Sequence, residues 1–262
     1  QSTLGPGQSL PPLPAPGVHI SIPSFPLRDC APVFQNLPPP VQAADPMTME
    51  ALGQGYGWVL YRTRLPAHPG ALLKVPGIRD YALVFVDGKR VGIINRMKGE
   101  DSLELPGSGP SNLGLFVENL GRINYGSKLR DNHKGIIGPV LLSGAPLKGW
   151  KMYRFPFDHP EKFPFRRGQP VAADQPQLRR GEFQVRDTGD TFLDMRGWGK
   201  GAAWVNGHPL GRYWNIGPQQ TLYVPGCWLR KGTNTLILLE TLDGKADRVE
   251  LLDHPILDQL GK

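Results

Sequence analysis

Residues 197–228 read Gly-Trp-Gly-Lys-Gly-Ala-Ala-Trp-Val-Asn-Gly-His-Pro-Leu-Gly-Arg-Tyr-Trp-Asn-Ile-Gly-Pro-Gln-Gln-Thr-Leu-Tyr-Val-Pro-Gly-Cys-Trp, a run of short apolar and aromatic pieces punctuated by glycine and proline. Trp204 and Val205 run into Asn206-Gly207, the pair that supplies both positive-φ positions of a tight hairpin turn. Leu210, Tyr213 and Trp214 leave on the return side. A further strand over Thr221–Val224 is stopped by Pro225-Gly226. A helix is excluded, because a glycine every two to four residues would cost about 1 kcal/mol apiece in a helix interior. The centre of the chain is therefore antiparallel sheet.

Working outward, the same punctuation occurs earlier. Asp87-Gly88 precedes Asn206-Gly207 by 119 residues, and Pro106-Gly107, closing Leu-Glu-Leu, precedes Pro225-Gly226, closing Leu-Tyr-Val, by 119. Gly77 and Gly197 are 120 apart, and Glu118 and Glu240, each ending an apolar run, are 122 apart. Four landmarks at nearly one offset indicate two copies of one unit. Strand-like runs lie at 58–65, 72–75, 81–86, 91–95, 103–105 and 113–118, and 136–142 closes the first copy. A unit with so many short strands must fold as two facing sheets, since one open sheet would leave an apolar face wet. The fold expected is all-β, two tandem jelly-roll sandwiches with little helix. The divisions are a proline-rich linker over 1–46 with a short strand near 18–22, sandwiches over 47–145 and 146–255, and a tail over 256–262.

Glycine and proline supply 33 and 28 of the 262 residues, which fits a turn-rich β protein. The net charge of +7 comes mostly from scattered arginines rather than a basic stripe on one element, so no nucleic-acid partner is expected. No apolar run approaches the roughly 20 residues of a membrane helix, and no membrane partner is expected. Cys30 and Cys227 are compatible with a pair or with two buried thiols. The chain begins at Gln1 with no signal pattern and is read as the downstream part of something longer.

Five kinds of chemistry come into question. The Gly-x-Gly-x-Gly runs at 53–57 and 197–201 lead into strands, not helices, and so lack the context of a phosphate loop. The six histidines show no ligand spacing, no transition metal or cofactor is expected, and Gly-x-Ser-x-Gly is absent. Glu118, Glu182, Glu240 and Asp194 are single carboxylates in or beside strands, and a glycosidase needs a close pair. The aromatic residues remain. Trp204, Tyr213 and Trp214 form a possible sugar-stacking face, with Arg212 and Asn215 near for hydroxyls. Core packing is the competing role of each ring. Because Tyr213 and Trp214 are adjacent, they face opposite sides of a regular strand.

The motif at 197–226, together with Tyr-Gly-Trp-Val-Leu-Tyr-Arg-Thr at 56–63 and Val-Glu-Asn-Leu-Gly-Arg-Ile-Asn-Tyr-Gly at 117–126, resembles the C-terminal region of β-galactosidases of glycoside hydrolase family 35, and of their bacterial branch in particular. The resemblance runs in chain order from about residue 20 to 255. Pro176-Gln-Leu-Arg-Arg-Gly181 departs from the family's usual aromatic pair before Arg-Gly. The resemblance implies a retaining exo-β-galactosidase whose (β/α)8 barrel carries both catalytic glutamates. None of its glutamate motifs occurs here, so no catalytic residue is assigned. It further implies galactose-binding-like domains packed on that barrel and a β-galactoside substrate. Arg122, Asn124 and Tyr125 would lie on the aglycon side of the pocket. The location expected is periplasmic or extracellular. A lectin-like module that binds galactose on its own, and a pure assembly module, are the alternatives.

Overall fold

The computed structural model describes residues 17–168, 172 and 174–261; residues 1–16 of the linker lie outside it. The chain carries β1 (Ile22–Pro26), β2 (Asp29–Pro32), β3 (Val41–Ala43), β4 (Trp58–Leu65), β5 (Leu72–Lys74), β6 (Ile78–Arg79), β7 (Tyr81–Val86), β8 (Lys89–Asn95), β9 (Ser102–Glu104) and β10 (Ser111–Glu118). After a long loop follow β11 (Gly135–Ile136), β12 (Leu141–Leu142), β13 (Ala145–Pro146) and β14 (Trp150–Phe155). The second series is β15 (Arg166–Arg167), β16 (Gln177–Val185), β17 (Thr191–Asp194), β18 (Lys200–Val205), β19 (His208–Trp214), β20 (Thr221–Val224), β21 (Gly232–Glu240) and β22 (Arg248–Leu252). Helix among the described residues is confined to single 3-10 turns such as Val33–Gln35.

Two compact units result. One comprises Asp29–Arg179 with Leu239–Asp243; the other takes the chain up to Arg28, Arg180–Leu238 and the residues from Gly244 onward. In the first unit a six-stranded sheet in the order β3-β14-β4-β10-β7-β8 faces a four-stranded one in the order β13-β12-β5-β9. In the second, β16-β21-β18-β19 faces β1-β22-β17-β20. The neighbours β4-β10-β7-β8 and β16-β21-β18-β19 follow the same sequence, as do β12-β5-β9 and β22-β17-β20. The repeat seen in the residues is thus a repeat of topology. Trp150–Phe155, which the sequence reading places in the second copy, pairs with β4 of the first.

Each sandwich is built by alternation. On β4 and β10, Val59, Tyr61, Leu65, Leu113, Leu115 and Val117 point inward and meet Leu73 and Val75 in one core. In the second, Phe183, Val185, Ala203, Val205, Leu236 and Leu238 meet Leu193, Leu222 and Leu251. The hairpins β7-β8 and β18-β19 turn at Asp87 (φ 47°)-Gly88 (φ 80°) and Asn206 (φ 49°)-Gly207 (φ 85°), as the dipeptides predict. Both carry a register shift 119 residues apart, between Val84 and Phe85 and between Ala203 and Trp204. Each turn is clamped the same way. Asp87 Oδ1 accepts from the Asn112 amide at 2.9 Å, and Asn206 Oδ1 from the Thr235 amide at 2.9 Å.

The proline-rich lead-in is less bare than its composition suggests. The bridge His19–Asp190 begins the contact, but the strand proper is β1, four residues beyond the expected start. It pairs antiparallel with β22, Ile22 opposite Leu251. β1 is an edge strand, the position where Pro23 and Pro26 leave no ladder bond unmade.

Candidate functional site

The loop between β10 and β11 holds the residues Arg122, Asn124 and Tyr125. Its base is polar and closely tied. Asn119 donates its side-chain amide to the Gly55 carbonyl at 3.1 Å, and the Gly121 amide donates back to Asn119 Oδ1 at 2.9 Å. The Leu120 amide donates to Asp80 Oδ2 at 3.1 Å. At the far end Lys134 Nζ reaches the same Oδ2 at 2.5 Å, both side chains being nearly sealed from solvent at 4% and 6% exposure. Arg96 completes the Asp80 shell at 2.9 Å. One buried carboxylate therefore staples both ends of the loop.

Arg122 is the second tie. Its guanidinium donates to the Gly55 carbonyl at 3.0 Å and to the Asn132 carbonyl at 2.9 Å, and pairs with Glu50 at 2.6 Å. Glu50 in turn accepts from the Lys134 backbone amide at 3.1 Å. Arg122 is thus spent on holding the loop. Asn124 and Tyr125 are presented outward, and Tyr125 is 89% exposed, with Ile123 and Leu129 exposed beside it. A ring so exposed on a secured loop buries nothing within its own sandwich, so Tyr125 has no part in the core.

The Glu50 carboxyl is subject to opposing influences. Desolvation raises its pKa, but the amides of Lys134 and of Glu50 itself, and then the Arg122 guanidinium, outweigh that and hold it below the usual carboxylate value. A depressed folded pKa gives a contribution that is full above the ordinary carboxylate range and disappears as pH falls through the lowered value. Glu50→Gln at neutral pH is accordingly expected to lower the hydrogen-exchange protection factor of the Lys134 amide several-fold, and acidifying the parent chain through the lowered Glu50 pKa should lower the same factor once the intrinsic rate is corrected for pH. Unchanged protection in the variant would show that Asp80 alone holds the loop.

The structure separates the three rings offered as a stacking face. Tyr213 is 5% exposed and belongs to the second sandwich's core. Trp204 is buried on the opposite face of β18 from Ala203 and Val205. Trp214, opposite Lys200, has that ammonium 4.5 Å from its ring centre. A buried ring has no face to give a pyranose. The exposed ring here is Tyr223 (49%), packed on Phe192 with centroids 5.6 Å apart. The single carboxylates also differ in setting: Asp194 is gripped by the Arg196 fork at 2.6 and 3.0 Å, and Glu240 accepts from the Leu242 amide at 2.8 Å. Cys30 is a buried thiol whose pKa is raised by burial, and Cys227 is an exposed one.

Glu50, Asp80 and Lys134 carry no signal in the sequence, because they meet across 30 to 84 residues with no periodicity. The glycine run at 53–57 does have a role. Gly55 lends its carbonyl to both Arg122 and Asn119.

Residues 46–156 match the family described as β-galactosidase, first all-beta domain, and residues 176–234 the one described as β-galactosidase, galactose-binding domain. A β-galactosidase of Xanthomonas manihotis is 41% identical over 219 residues, covering 83% of this chain and 36% of that protein. The human β-galactosidase-1-like protein 2 is 34% identical over 256 residues, covering 89% and 39%. β-Galactosidase 17 of Arabidopsis thaliana is 34% identical over 248 residues, covering 82% and 35%. The chain spans well under half the length of these curated relatives.

Proposed function

The chain belongs to the β-galactosidases through its all-β and galactose-binding domains, and on that premise we propose that it serves a retaining exo-β-galactosidase as the region that packs on a (β/α)8 catalytic barrel and completes the mouth of its pocket. The loop from Asn119 to Lys134 carries the reading. It is fixed at its base by Asp80 and Glu50 while Tyr125 projects clear of its own sandwich. Fixed backbone and outward ring are what a pocket wall supplied by a second domain requires, because a preorganised contact loses little entropy on docking. In this role Tyr125 meets the aglycon, Asn124 flanks it and Arg122 positions both.

In the intact enzyme that contains this region, Tyr125→Ala is expected to lower kcat/KM on aryl β-galactosides and lactose about tenfold, in line with the loss of one well-packed aromatic contact. A value within about twofold of the parent would remove the loop from the pocket. The region alone is expected to show no saturable change in Trp fluorescence with galactose or lactose up to tens of millimolar; saturation below that would favour an autonomous galactose-binding module instead.

A further inference from the structure

On the outer face of the first unit's six-stranded sheet lies a cleft of about 890 Å³, within the size range of small-molecule sites. Leu60, Arg62 and Arg64 alternate onto this face along β4. Across from Arg62 stand Gly114 on β10 and Lys151 on β14. Gly114 has no side chain, and Phe85 and Leu60, 3.5 and 3.6 Å from where its Cβ would stand, make the floor of the cleft there apolar. The Arg62 guanidinium is half-buried and lies over two rings, Phe34 at 5.5 Å and Tyr153 at 5.8 Å from their centres. The two rings hold the guanidinium, whose edge carries its N–H donors, within the lining of the cleft. Among the described residues, none forms a hydrogen bond or ion pair with that edge.

Two costs accumulate here. Cationic donors are partly withdrawn from water without an acceptor, and burial accordingly lowers the Arg62 pKa. Arg62 also stands directly opposite Lys151, and like charges at paired strand positions repel. Both costs fall if an anion sits between them, and a carboxylate matches the guanidinium fork in plane and spacing. The polar remainder of the cleft is Asp87, whose Oδ1 is held by the Asn112 backbone and side-chain amides at 2.9 Å, together with the exposed Arg64, and these suit hydroxyls rather than a second acid group. We propose that this cleft binds a small carboxylate-bearing sugar, its carboxylate on the edge of Arg62 and alongside Lys151. The site is separate from the Tyr125 loop, and the inference does not depend on the β-galactosidase reading.

Calorimetric titration of the chain with sodium D-galacturonate, against D-galactose as the neutral counterpart, tests it. Saturable millimolar binding of the acid is expected, with none of the neutral sugar. Arg62→Lys keeps the charge but loses the fork and is expected to weaken binding about tenfold, and about 0.5 M salt should weaken it further. Lys151→Ala, an exposed change that leaves the ring sandwich in place, is expected to weaken binding about threefold. No saturable heat up to tens of millimolar, or equal binding of acid and neutral sugar that neither variant alters, overturns the proposal.

Discussion

Asp80→Ala is expected to destabilise the first sandwich by about 3–5 kcal/mol, the range for removing one partner of a buried ion pair. The loss comes less from the missing attraction than from what remains. Lys134 Nζ, 4% exposed, would be left buried with no carboxylate at 2.5 Å, and the Leu120 amide would lose its acceptor. The converse change should be milder. Lys134→Met removes the ammonium and fills its volume, while Asp80 keeps Arg96 and the Leu120 amide. Urea denaturation of Asp80→Ala, Lys134→Met and the double variant gives the decisive comparison. The double variant is expected to be more stable than Asp80→Ala alone, because no orphaned charge is left. Simple addition of the two single effects would show that the groups do not act as a pair.

Gly77→Ala is expected to be comparably severe for a different reason. A Cβ there would lie 1.6 Å from the Ile137 carbonyl oxygen and 2.6 Å from its carbon, both backbone atoms of the segment that follows β11. Ile137 donates its amide to the Gly77 carbonyl at 2.9 Å, and β6 pairs with β11 just beside it. Nothing flexible stands in the way, so relief requires the two backbones to separate and the β6-β11 bridge to break. The cost should reach or pass the upper end of overpacking, about 3 kcal/mol, and lower the unfolding temperature of this unit by roughly 6–12 °C. Gly99→Ala is the matching control. Gly99 has φ 74° but nothing within 4 Å of where a Cβ would stand, so only backbone strain applies, on the order of 1 kcal/mol. Equal losses at the two positions would refute the steric account.

Gly77 also shows what a sequence does and does not disclose. As a landmark it matches Gly197 at an offset of 120, and both positions do require glycine. Gly197 sits at φ 84°, whereas Gly77 is demanded by the approach of Ile137. The spacing reveals the repeat without revealing that its two members answer different constraints. The hairpin turns are legible because Asp-Gly and Asn-Gly impose their own dihedrals, a local cause visible in two residues. Strand pairing by the segments at 22–26 and 41–43 is not, since their partners are 107 to 229 residues away and proline masks the alternation. The site divides in the same way. Tyr125 is nominated by its motif and found exposed, and the polar base beneath it is a long-range assembly that only coordinates display. The aromatic cluster at 204–214 misleads in the other direction, because composition counts rings while burial decides which of them meet solvent.

The prolines of β1 have a bearing on how the molecule stays soluble during synthesis. With Pro23 and Pro26 outermost, the seam along Val249 and Leu251 is closed by a segment that offers a newcomer fewer amides to grip. A shortened version starting after Arg28 would uncover that seam, take Ile22, Phe25 and Leu27 out of the second core and invite chain-to-chain stacking, so the head both fills the sandwich and guards against clumping.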